Sequence, residues 1–97
     1  MNSTFSMFSG EAQEVKLKFH ISLVNTVLDR FGKNISLRPD GDEWFTIRVN
    51  IKAEPPFFGW LFQFGAKASI VEPSELKEKY IEQLQAVLSE NKKVNLI

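Results

Sequence analysis

The chain has 97 residues, with twelve basic and twelve acidic side chains, zero formal net charge and no cysteine. That length holds one domain with its own core, near the size where stability becomes thin. Zero net charge argues against a dedicated duplex-DNA binder, which carries a clear basic excess. The lack of cysteine excludes disulfides and thiolate metal sites and fits an intracellular, cytoplasmic protein.

The first ten residues, Met1 to Gly10, lack the basic start and continuous apolar run of a signal peptide. No apolar run approaches the roughly 20 residues of a membrane span, so no membrane partner is expected. Residues 1–12 read as a lead-in from a preceding domain, 13–91 as the domain itself and 92–97 as a tail.

From Glu14 to His20 the residues alternate, with Val15, Leu17 and Phe19 on one face and Lys16, Lys18 and His20 on the other. This predicts a half-buried strand. Ser22 is the expected N-cap of an amphipathic helix carried by Ile21, Val24, Leu28 and Phe31 and stopped by Gly32. A short strand is predicted over Ile35–Arg38, then a turn at Pro39-Asp40-Gly41-Asp42, where proline presets φ and glycine accepts positive φ. Trp44 to Lys52 alternates again, with Phe45, Ile47, Val49 and Ile51 opposite Trp44, Thr46, Arg48 and Asn50. The two strands should form a hairpin.

Pro55-Pro56-Phe57-Phe58-Gly59-Trp60-Leu61-Phe62-Gln63-Phe64-Gly65 reads as a short helix, opened by prolines that need no N–H in the first turn and closed by glycine. Its apolar side chains sweep an arc of roughly 200°, where one contact face needs only about 100°. A weaker strand follows over Lys67–Val71. Glu72-Pro73-Ser74 then starts a last helix with an apolar stripe of Leu76, Tyr80, Leu84, Val87, Leu88 and Ile81, expected to fray near Asn91-Lys92-Lys93. The element order, β-α-β-β-α-β-α, predicts an α+β protein: a ferredoxin-like βαββαβ antiparallel sheet with its helices on one face and an added C-terminal helix. That last helix could lie along an edge of the sheet or across its open face.

In this topology the first and third strands are central neighbours. The face turned away from the helices then gathers Lys16, Lys18, Arg38, Arg48, Trp44 and Thr46. Basic residues beside an aromatic suit phosphate contacts and base stacking, so this face is a candidate for an anionic ligand, a nucleotide or single-stranded nucleic acid. An ordinary solvated face explains the same residues. The excess aromatic arc likewise admits two uses: packing against the first and last helices, or an interface presenting Phe58, Trp60 and Phe62. His20 is the only histidine, and no carboxylates are spaced around it as a ligand set, so no metal is expected. Asp40, Asp42 and Glu43 are explained by turn chemistry. There is no nucleophile elbow, His-Glu motif or phosphate-binding glycine loop. No catalytic residue, cofactor or enzymatic activity is expected.

Several segments in this order carry a resemblance: Phe8-Ser9-Gly10-Glu11, Val15-Lys16-Leu17-Lys18-Phe19, Asp29-Arg30-Phe31-Gly32-Lys33, Phe57 to Gly65, and Ile70-Val71-Glu72-Pro73-Ser74-Glu75-Leu76. Over about residues 8–90 the chain resembles the C-terminal extension (WCX) domain of bacterial WYL-domain helix-turn-helix transcriptional regulators. The resemblance implies a non-catalytic regulatory and dimerisation domain. Its partners would be the WYL and helix-turn-helix domains of a full-length protein and a second copy in a homodimer. The chain itself holds neither the helix-turn-helix nor the Trp-Tyr-Leu segment, so it looks like an excised fragment. On that view, polar replacement of Phe58 and Phe62 together should weaken association and leave the fold intact.

Overall fold

The computed structural model describes residues 11–94. Most of the expected lead-in, with the Phe8–Gly10 part of the resemblance, and the end of the tail lie outside the described residues. The strands are β1 (Ala12–His20), β2 (Arg38–Pro39), β3 (Trp44–Lys52) and β4 (Ala68–Glu72), and the α-helices are α1 (Val24–Phe31), α2 (Pro55–Phe62) and α3 (Ser74–Val94). The strands form one antiparallel sheet in the order β2-β3-β1-β4. The class is α+β.

Alternation along β1 and β3 sets the register. Val15 faces Val49, Leu17 faces Ile47 and Phe19 faces Phe45, and all six are buried in the core. A slip of one residue would turn this whole apolar set toward water, so the pairing is strongly specified. On the other side β1 pairs with β4, Leu17 against Ile70 and Phe19 against Ala68, with an irregularity between Lys16 and Leu17. Both edge strands are short, which limits the unpaired backbone they offer to other chains.

The hairpin forms with less ladder than expected. Ile35 and Leu37 pack half-buried against the core without pairing, and β2 amounts to Arg38 opposite Thr46 and Pro39 opposite Phe45. Proline donates no ladder hydrogen bond and is tolerated on an edge strand such as this. Gly41 takes φ 80° in the turn, as its residue type predicts.

Three helix boundaries differ from expectation. α2 ends at Phe62 with Gln63 as its C-cap, and Gly65, expected to close it, instead opens a 3-10 turn over Gly65–Lys67. Ser22 does not cap α1. A single 3-10 turn over Ile21–Leu23 comes first, and Nδ1 of His20 accepts its Ser22 amide at 3.1 Å. The imidazole thus takes the role expected of the serine hydroxyl, which lies 2.9 Å from the same Nδ1. At the other end, α3 continues through Asn91, Lys92 and Lys93 to Val94, with the Asn91 side chain donating to the Val87 carbonyl at 2.9 Å. Lysines in a last helical turn also complement the helix dipole.

The three helices share the apolar side of the sheet. Leu76 and Tyr80 of α3 belong to the same buried cluster as Phe57, Phe58 and Leu61 of α2 and the inward residues of β1 and β3. Thus α3 runs beside β4 on the helical side, and among the described residues no helix covers the opposite sheet face.

Candidate functional site

On the uncovered face, pairing arranges the side chains in rows. Arg48 stands opposite Lys16, which faces Glu72 in turn; Arg38 stands opposite Thr46, which faces Lys18; Trp44 stands opposite His20. The sequence-predicted set Lys16, Lys18, Arg38, Trp44 and Arg48 is therefore brought together. Its members are in different states. Lys18 Nζ lies 3.1 Å from Asp40 Oδ2, and Arg48 Nη2 lies 3.2 Å from Glu72 Oε1. The same Lys18 ammonium sits 5.3 Å over the Trp44 ring, while the His20 ring meets Trp44 edge-on at 5.3 Å. These contacts leave Trp44 poorly placed as a platform for stacking bases. Lys16 and Arg38 make no ion pair among the described residues. They line a concavity of about 470 Å³ together with Ser36, Thr46, Ile47 and Arg48.

Asp40 and Glu72 are the residues that sequence reasoning missed. Asp40 read as turn chemistry and Glu72 as a strand-breaking neighbour of proline. Their roles depend on cross-strand register, which only the paired sheet supplies. Among the described residues, no group of three or more His, Cys, Asp or Glu side chains is placed to hold a metal ion.

The aromatic arc of α2 divides sharply. Phe57, Phe58 and Leu61 are buried, and Phe58 stacks on Tyr80 of α3 with ring centroids 5.6 Å apart. Trp60 is half-buried and ties the helix to its other neighbours. It meets Phe31 of α1 edge-on at 5.5 Å, Phe19 of β1 at 6.0 Å and Phe64 at 5.0 Å, with the Arg30 guanidinium over its ring at 5.1 Å. Phe62 stands out, 55% exposed. Of the three residues proposed for an interface, Phe58 is core, Trp60 joins the two flanks, and Phe62 is the one presented to solvent. The combined Phe58 and Phe62 replacement would accordingly not leave the fold intact.

Phe62 has company on α3. Val87 and Leu88 are 53% and 55% exposed, so the apolar stripe of that helix is covered only as far as Leu84. Two grooves flank the stripe. One of about 210 Å³ lies between α2 and α3, walled by Pro55, Gly59, Phe62, Leu84 and Val87. The other, about 470 Å³, runs along Phe62, Ala66, Ala68, Ile81 and Leu84. They share Phe62, Tyr80 and Leu84, forming one apolar crest with a trough on each side.

Compared with known families, residues 11–88 match the WCX domain. The chain belongs to the WCX domain family. No curated protein matches it. The span matched to the WCX domain takes in all four strands and ends on the crest at Leu88. Membership supports the context of WYL-type transcriptional regulators, in which the WCX domain is the C-terminal extension. No described helix of this WCX domain is long and apolar enough to cross a membrane.

Burial raises the pKa of Tyr80, at the foot of the crest, above its ordinary value of 10.0. The unfolded chain therefore gives up this proton at lower pH than the folded one. Well below pH 10 the phenol is neutral in both states and stability does not depend on it; as pH rises through 10 the folded state is progressively disfavoured. Urea midpoints measured from pH 8 to 11 should fall more steeply at the alkaline end for the parent chain than for Tyr80→Phe. Parallel curves would contradict this burial.

Proposed function

We propose that this WCX domain is the regulatory and dimerisation module of a WYL-type bacterial transcriptional regulator, cytoplasmic and without catalytic activity. The strand order β2-β3-β1-β4, with helices on one face, supports a ferredoxin-like reading of the fold. The exposed crest of Phe62, Val87 and Leu88 carries the functional proposal. Residues 85–93 of α3 are exposed throughout, and helical segments in proteins draw most of their stability from packing of one face. A second copy suits this surface because α3 supplies both projecting residues and the walls of the grooves that would receive them. A two-fold pairing then fills both sets at once. A change of state in the attached domains would reach the partner protomer through α2 and α3.

The test is sedimentation equilibrium of the 97-residue chain beside its Phe62→Asp and Leu88→Asp variants. Reversible dimerisation by the parent, weakened by each replacement by about tenfold or more as expected for a truncated anchor in an interface centre, is the expected outcome. A parent chain that stays monomeric to millimolar concentration would overturn the role given to the crest.

A further inference from the structure

We propose that the uncovered sheet face holds a single phosphoryl group, presented by a small ligand, in the concavity lined by Lys16, Ser36, Arg38, Thr46 and Arg48. This goes beyond the assembly role and is independent of how the apolar crest is used.

The cross-strand register puts Lys16 between Arg48 on one side and Glu72 on the other, with Arg38 opposite Thr46 on the neighbouring strand. Like charges facing each other across a sheet are destabilising, so this juxtaposition has a cost that a bound dianion would relieve. The local carboxylates do not relieve it fully. Asp40 is engaged by Lys18 and Glu72 by Arg48, while Lys16 and Arg38 remain without an ion pair among the described residues. The Arg48–Glu72 pair is about half exposed on both sides, and such surface pairs contribute little, so its guanidinium can turn to a ligand at small cost. Guanidinium forks match phosphate geometry, and the Ser36 and Thr46 hydroxyls can donate to the same oxygens. A volume of about 470 Å³ falls within the range of small-molecule sites.

The same face argues against a continuous nucleic-acid track. Trp44 is already covered by Lys18 and edged by His20, and Asp40 and Glu72 flank the cations with negative charge. With a formal net charge of zero on the chain, one phosphoryl group is accommodated, whereas a run of phosphates would meet those carboxylates.

The experiment is an amide NMR titration of the 97-residue chain at low salt with inorganic phosphate, AMP and, separately, a short thymidine oligonucleotide. Phosphate and AMP should both shift the amides around Lys16, Arg38, Thr46 and Arg48. Lys16→Gln and Arg38→Gln should each weaken binding by roughly tenfold, the loss expected for one charge-assisted hydrogen bond, while Lys67→Gln, on an exposed turn elsewhere, should change nothing. Three results would overturn the proposal: no shift with millimolar phosphate or AMP, shifts that Lys16→Gln and Arg38→Gln do not diminish, or binding of the oligonucleotide alone. The last would identify a strand-binding surface instead.

Discussion

Replacing Phe58 with aspartate is expected to unfold the domain, whereas the same replacement at Phe62 should leave its melting temperature within a few degrees. The two residues lie one helical turn apart on α2 and are equally apolar. Phe58 is only 6% exposed and stacks on Tyr80. Removing a buried phenylalanine costs about 3–5 kcal/mol, and an unpaired carboxylate in its place adds several more. Domains of this size have only about 5–15 kcal/mol in total. Phe62 is more than half exposed, and substitutions at such sites usually change stability by about 0.5 kcal/mol or less. Circular dichroism melts of the two variants at low concentration, where association does not contribute, decide the matter. Similar losses at both positions would mean that the arc is not divided as described.

Trp60→Ala should be the most damaging change among the half-buried residues. This one ring contacts Phe31 on α1, Phe19 on β1 and Phe64 beyond the end of α2, and it lies beneath Arg30. Tryptophan truncation in a core costs about 3–5 kcal/mol, and partial exposure places this site near the lower bound. For a domain of this length, about 3 kcal/mol corresponds to roughly 10–20 °C in melting temperature. Phe64→Ala, which removes one of these ring contacts and leaves the others, should cost clearly less. A Trp60→Ala loss below about 1 kcal/mol would contradict its place as the joint between α1 and α2.

The sequence disclosed most where a repeating pattern and a special residue coincide. β1 and β3 follow from strict alternation, the turn before β3 from Gly41, and the start of α2 from its paired prolines. The central pairing of β1 with β3 followed from element order and handedness. Features decided by a single local competition were less legible. Ser22 is a sound capping residue, but the His20 ring, held against Trp44, reaches the amide first. β2 moved toward Pro39 because Arg38 could pair with Thr46 while Ile35 and Leu37 were drawn to the core. α3 outlasted its expected fraying point through a side-chain bond from Asn91 and lysines at its end.

The candidate surfaces were visible as inventories and invisible as arrangements. Composition along the strands placed Lys16, Lys18, Arg38 and Arg48 on one face. Nothing in that spacing indicated that Asp40 and Glu72 would engage two of the four. Likewise the 200° aromatic sweep of α2 showed an excess of apolar surface without saying which ring was in excess. Tyr80 and Phe31, far away in sequence, make that division by covering Phe58 and Trp60 and leaving Phe62.

Isotope-filtered NOE spectroscopy on an equal mixture of labelled and unlabelled chain tests the proposed assembly most directly. Cross-peaks are expected between the Phe62 ring of one copy and the Val87 and Leu88 methyl groups of the other. A dimer whose intermolecular cross-peaks come from the sheet face or from β4, with none at Phe62, Val87 or Leu88, would contradict it.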